Sequence, residues 1–325
     1  MRVLVTGGAG YIGSVTVRQL LKDGHEVTVL DDLSTGHRAA IEARARFVEG
    51  RVQDAVALSE ALRGSEAVIH FASLSLVSES VRAPRRYFRE NLSAALELLE
   101  GMERAKVRRL VFSSSAAVYG EPELELIDED TPLRPVNPYG MSKLMVEEIL
   151  AEEARANGLS AMALRYFNAC GSDGVHGEDH DPETHLIPRL CAALLERGRE
   201  FVIHGRDFPT ADGTAVRDYV HVVDLARAHV SALAALQAPG FEALNLGTGA
   251  GASVLEVVRA AQELAGSSLE LPFGPRRAGD PARLVAGNER ARRRLAWRPE
   301  RSGLKTILQD AYRWHQEHPQ GYSDA

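Results

Sequence analysis

The stretch that leaves this chain least freedom is "RVLVTGGAGYIGS", residues 2–14, in which a short β-branched run stops in a cluster of glycines and an apolar-periodic segment starts at once behind them. Strand, tight turn and helix in immediate succession open a βαβ unit. The glycines fit two spacings, Gly8, Gly10, Gly13 and Gly7, Gly10, Gly13, and the physics is the same for both. Missing Cβ atoms let the backbone turn sharply and approach a pyrophosphate, whose charge is favoured by the free N–H groups and dipole at the helix start. Gly7, Gly10, Tyr11, Ile12 and Gly13 are therefore candidates for holding a dinucleotide.

The pattern continues downstream. "EVTVL", "ARFVEG", "EAVIHFA", "RRLVFSSS" and "SAMALRYF" read as strands, and helical stretches near 12–22, near 94–106 and after Tyr139 separate them. Such alternation means parallel strands joined by right-handed crossovers, a Rossmann-type doubly wound α/β sheet. After about Asn168 the rhythm breaks into "ACGSDGVHGEDHDPETHLIP", and later elements read as shorter and irregular. We read 1–168 as an NAD-binding Rossmann domain and 169–325 as a smaller C-terminal α/β lobe for the substrate, with chain crossings between them. The strand "EALNLGTG", near 241–247, is the candidate to return to the first sheet, and Ser253 is the expected N-cap of the helix that follows it.

Composition narrows the function. The 325 residues, 45% of them hydrophobic, are enough for a substantial core, and the net charge of −7 disfavours a non-specific nucleic-acid binder while leaving small anions as partners. Cys170 and Cys191 are too far apart for a metal-type cluster and too few for a disulfide framework. Reduced thiols, no metal and a cytoplasmic location are expected, and the lack of a signal-like opening or an 18-residue apolar run argues against a membrane partner. Arg290 to Arg294 read as a solvated helix face, whereas Arg276 and Arg277 lie in a Pro/Gly-bounded loop beside Asp280, where ligands are held.

Asp31 ends the second strand, 18 residues after Gly13. A carboxylate there accepts hydrogen bonds from a ribose diol and repels a 2′-phosphate, which selects NAD over NADP. Asp32 beside it is either a second cofactor contact or a turn residue. In "VNPYGMSKLMVEE" Tyr139 and Lys143 are four apart, so on a helix their side chains share a face. A phenol is a poor base at neutral pH unless a neighbouring ammonium and an oxidised nicotinamide favour its phenolate. Ser115 closes "FSSS" at a central strand's carboxyl end, where doubly wound sheets bind ligands.

With these residues on the page the chain resembles the extended short-chain dehydrogenases/reductases and, more narrowly, the UDP-glucose 4-epimerase family. The likeness runs through "VTGGAGYIGS", "DDLSTGH", "FSSSAAVYG", "PYGMSK", "LRYFNACG", "HLIP", "GRDFPTADGTAVRDYVHVVDLA", "RRAGDPARLVA" and "HPQGYSD". It implies that Tyr139 is the general base, that Lys143 holds the nicotinamide ribose and lowers the phenol's pKa, and that Ser115 relays the proton of the sugar's 4-hydroxyl. Hydride passes from C4 to NAD and back to the other face of a 4-keto sugar. Further cofactor contacts implied are Val52, Phe71, Ala72, Asn91 and Phe167. Substrate contacts implied are Asn168, His185, Leu186, Val202, His204, Arg217, Tyr219, Arg277 and Asp280, the two arginines converging on the diphosphate. Ser80 is a further sugar- or nicotinamide-side candidate. UDP-glucose and UDP-galactose are the implied substrates, and a homodimer through the helices following Ala94 and Tyr139 the implied assembly.

Three positions depart from the family pattern: Arg51 replaces an acidic residue near the adenine, Ser75 a lysine of some members, and His204 an aromatic near the uracil. Leu284, of intermediate bulk, stands where room for an N-acetyl group is set, which predicts weak use of N-acetylated sugars. Ala116 and Ala117 follow Ser115, so a 4,6-dehydratase would lack its acid/base pair. A cofactor sensor would not need Ser115, Tyr139 and Lys143 together. The sugar's C6 environment is not legible, and UDP-glucuronate, UDP-xylose or ADP-heptose stays open at this point.

Overall fold

A computed structural model describes residues 1–195, 201–277 and 280–323. The central sheet has seven strands: β1 (Arg2–Thr6), β2 (Glu26–Asp31), β3 (Arg46–Glu49), β4 (Ala67–His70), β5 (Arg109–Ser115), β6 (Ser160–Tyr166) and, at its far edge, Gly240–Leu246. Their order is Gly240–Leu246, β6, β5, β4, β1, β2, β3, all pairings parallel. The chain runs outward from β1 to β3, then returns to β4 and proceeds the other way. The switch between β1 and β4 opens a crevice at the carboxyl ends of the strands.

The strands are buried on both faces, so their residues divide by pleat. Val3, Val5, Val29, Ile69, Val111 and Leu164 face one core with the helices α1 (Tyr11–Lys22) and, later in the chain, Val222–Ala235. Leu4, Leu30, Val68, Leu110, Phe112 and Ala163 face the other, covered by α2 (Ala55–Leu62), α4 (Pro84–Arg104) and α5 (Pro138–Asn157). The short α3 (Val77–Arg82) precedes α4. The helix read near 94–106 starts ten residues earlier, at Pro84, because proline suits a first helical position. Asn137 caps α5, its Oδ1 accepting the Gly140 N–H at 2.8 Å, and a left-handed Gly158 ends it.

Beyond residue 168 the elements are more regular than the sequence reading expects. The described residues form α6 (Leu186–Leu194), α7 (Val222–Ala235), α8 (Val254–Ala265), α9 (Glu289–Leu295) and α10 (Leu304–Glu317). In α10 the apolar residues Ile307, Leu308, Ala311 and Trp314 recur at helical spacing and are buried. Ser253 caps α8 in a capping box with Glu256, the Glu256 N–H donating to Ser253 Oγ at 3.0 Å. α6, α8 and α10 share a separate core through Ile187, Leu190, Val257, Val258 and Ile307. Among the described residues no helix is long and apolar enough to cross a membrane.

Candidate active site

The crevice at the strand ends widens into a cleft of about 1020 Å³. Every cofactor and substrate candidate named above except Ser80 and Arg276 contributes to its wall. Gly10 and Gly13 divide the work of the turn. A Cβ on Gly13 would stand 2.1 Å from the Gly7 carbonyl oxygen, so the turn itself demands glycine there. A Cβ on Gly10 would meet only that oxygen, at 3.5 Å. The protein's own packing does not explain Gly10; an anion laid against it does.

Asp31 reaches the cleft from the end of β2 and is nearly buried. Its Oδ2 accepts from the Ala9 N–H and its Oδ1 from the Leu33 N–H, each at 2.9 Å. Desolvation raises its pKa and these two bonds oppose the rise. Both oxygens are thus oriented by backbone and keep lone pairs for a diol. Asp32 accepts from the Ser34 N–H at 3.0 Å, which is turn chemistry, and also lies 3.7 Å from Arg51 Nε. Arg51 in turn pairs with Glu90. Its half-exposed side chain is thus tied to two carboxylates at the expected adenine end.

Tyr139 and Lys143 lie on one buried face of α5. Burial raises the phenol's pKa and the neighbouring Ser115 side chain lowers it. Lys143 Nζ donates to the Ser113 carbonyl at 2.7 Å and to Ser73 Oγ at 2.8 Å, and stands 5.8 Å from the centre of the Tyr139 ring. Desolvation brings its pKa down to about 7, against the pull of Glu147 one turn further along.

The opposite wall is ionic. Arg217 Nη2 donates to Asp280 Oδ1 at 2.6 Å, and its Nη1 to the Val216 carbonyl at 2.9 Å. Arg277 is exposed at the rim; desolvation lowers its guanidinium pKa, Asp280 opposes this, and Arg189 and Arg217 add to it. Arg189, Arg217 and Arg277 thus line the cleft together with a single carboxylate, Asp280, paired to Arg217, a surplus of positive charge suited to a diphosphate. Tyr219 is buried between them and the sheet, and Asn168, Leu186 and Val202 line the same end. His204 pairs its Nδ1 with the Pro275 carbonyl at 3.2 Å.

Residues 3–247 match the NAD dependent epimerase/dehydratase family. The chain belongs to that family. It is 47% identical over 329 aligned residues, spanning 100% of both chains, to the UDP-glucose 4-epimerase of Lactobacillus helveticus. The UDP-glucose 4-epimerase of Brucella ovis, solved in complex with NAD, is 44% identical with a TM-score of 0.92 over 96% of this chain and 98% of its own. That of Bifidobacterium longum, solved with NAD+ and UDP, is 36% identical with a TM-score of 0.94 over 99% of this chain and 100% of its own.

Within this family member several expectations need correcting. Ser80 is buried and bonds its own helix, Oγ to the Val77 carbonyl at 2.7 Å, outside the cleft. Arg276 pairs with Asp207 at 2.7 Å and lies over the Phe208 ring, leaving only Arg277 on the cleft. Asn91 uses both ends of its amide on the protein, exchanging hydrogen bonds with Leu74 and donating to Ser142 Oγ at 2.9 Å. It positions the 73–76 loop against α5. Tyr11 likewise gives its hydroxyl to the Gly171 carbonyl at 2.7 Å. Arg290 pairs with Glu129 and Asp130, and Arg294 with Glu242, so these two are not merely solvated. Alanines and glycines 278 and 279 of "RRAGD", and Asp324 of "HPQGYSD", lie outside the described residues.

Ser73 and Arg189 are two of the cleft residues that sequence reasoning missed. Arg189 stands one helical turn after His185, a spacing that could have revealed it. Ser73 has no such signal, because its partner Lys143 is 70 residues away.

Proposed function

We propose that the chain interconverts UDP-glucose and UDP-galactose. The observation that carries this reading is one cleft holding the glycine turn, the oriented Asp31 carboxylate, Ser115 with Tyr139 and Lys143, and Arg189, Arg217 and Arg277. The open space over Gly10 and the two backbone-held oxygens of Asp31 fit NAD, which Lys143 would also hold through its third ammonium donor. NAD, when bound, accepts the hydride of sugar C4 and returns it to the other face, so no net oxidation occurs.

The chain's own groups handle the proton and the diphosphate. Tyr139 takes the proton of the C4 hydroxyl and gives it back, with Ser115 beside it as the relay. Arg217, Arg277 and Arg189 hold the diphosphate while the 4-keto sugar turns over about that linkage. Residues 1–168 form the cofactor half and 169–325 the sugar-nucleotide half, with Gly240–Leu246 completing the first sheet and α7 packed against it. The elimination alternative lacks a catalyst, because Ala116 and Ala117 follow Ser115.

Cys170 and Cys191, buried and joined in no disulfide, support a reducing, cytoplasmic setting. Exposed Leu96 on α4 and Met145 on α5 support a homodimer through those helices, which light scattering would test as twice the chain mass. The function itself is tested by incubating purified protein with UDP-galactose and no added NAD. UDP-glucose is expected; its absence, with NAD recovered from the denatured protein, overturns the reading.

A further inference from the structure

The loop 171–185 joins the short strand Asn168–Cys170 to α6, and within it the sequence repeats one unit, Glu178-x-His180 and Glu183-x-His185. The fold turns these four side chains onto one another. His185 Nδ1 lies 2.9 Å from Glu183 Oε1 and 3.0 Å from Glu178 Oε1; His180 Nδ1 lies 3.3 Å from Glu183 Oε2 and 3.7 Å from Glu178 Oε1. One donor atom from each residue lies within 4.8 Å of all the others. Zinc bound tetrahedrally to imidazole nitrogen and carboxylate oxygen at about 2.0–2.2 Å needs neighbouring ligand atoms about 3.3 Å apart. The four observed separations straddle that value.

Two further observations point to a cation. The Glu178 and Glu183 side chains are only 6% and 5% exposed, yet among the described residues their ion-pair partners are histidines alone. Two buried carboxylates without a permanent cation are costly. The two imidazole rings also approach to 5.1 Å, an arrangement that repels if both are charged and is ordinary when both are neutral ligands of one ion. Two nitrogens and two carboxylate oxygens suit zinc and its neighbours better than magnesium or calcium, which prefer oxygen alone.

We propose that Glu178, His180, Glu183 and His185 bind one zinc-class divalent cation that fastens the 178–185 loop to the start of α6. Four protein ligands close the coordination shell, so the ion braces the cleft wall carrying Leu186 and Arg189 and takes no part in the chemistry. This holds whichever sugar nucleotide the cleft accepts.

The test uses tag-free, NAD-loaded, full-length protein stripped with dipicolinate, reloaded with zinc sulfate and passed through gel filtration. Elemental analysis is expected to find one zinc per chain, and thermal unfolding to rise by several degrees, about 2–4 °C for each kcal/mol of binding. His180→Ala and Glu183→Gln should each lose the zinc and melt like the stripped wild type. A zinc-edge anomalous map of the wild type, which needs no variant to fold, should show one peak about 2.0–2.2 Å from the four donor atoms. Retention of no zinc by the wild type, equal retention by both variants, a peak elsewhere, or preference for magnesium would each overturn the proposal.

Discussion

The two walls of the cleft hold their functional groups by different means. On the sheet side the anchors are backbone groups and neutral partners: Ala9 and Leu33 N–H for Asp31, the Ser113 carbonyl and Ser73 for Lys143, Leu74 for Asn91. On the loop side the anchor is an opposite charge, Asp280 for Arg217. A backbone-held group stays aimed when the ligand leaves, because the strand end that carries it cannot rearrange cheaply. A salt-bridged arginine instead exchanges one anion for another, so Asp280 stands in for the phosphate the loops await. One wall is preorganised for chemistry and the other for capture.

Tyr139→Phe strikes the preorganised wall and should cause the largest loss, about two to four orders of magnitude in kcat with NAD still bound. Unchanged turnover would remove the phenol from the mechanism. Arg217→Ala, on the capture wall, should raise KM for UDP-galactose about ten- to hundredfold, the worth of a charge-assisted hydrogen bond, with kcat less affected. Equal falls in kcat and kcat/KM would instead place Arg217 with the chemistry and erase the contrast.

Two glycine variants sharpen the description of the sheet side. Gly13→Ala, with its Cβ 2.1 Å from a carbonyl oxygen, should destabilise the stripped protein by about 1–3 kcal/mol in chemical denaturation. Gly10→Ala should leave that stability within about 0.5 kcal/mol while weakening NAD retention on gel filtration. Similar stability losses in the two would mean that Gly10 serves the fold alone.

Acid acts on the sheet side through two buried histidines. Burial lowers the His70 pKa to about 3, with the Lys143 charge adding to it, and burial lowers His229 to about 4, its bond to the Leu225 carbonyl opposing. Both lie below the unfolded value, so the unfolded chain binds more protons and stability falls as pH drops below about 6.5, at about 1.4 kcal/mol per unit for each group. His70 accepts or donates at Thr6 Oγ1, 2.7 Å away, and His70→Asn keeps a polar group there. Its melting temperature should fall less than the wild type's between pH 7 and pH 5; parallel curves would exclude His70 as the titrating group.

Most of the preorganised wall was legible in the sequence. β1, the glycine turn, Asp31, Ser115 and the Tyr139–Lys143 pair are local patterns, set by strand pleat, helical spacing and the conformational range of glycine over a few residues. What the chain alone concealed depends on contacts between distant segments. Ser73 meets Lys143, Asn91 ties down Leu74, and Arg189 joins Arg217, Arg277 and Asp280 in the cleft wall only once α6 and three loops are folded together. The packing of α7 against the first sheet is of the same kind, whereas the strand Gly240–Leu246 returns to that sheet as its sequence pattern predicts. Local periodicity determines which elements form and which groups stand at their ends; tertiary packing decides which of those groups meet, because a pairing across a hundred residues leaves no spacing to read.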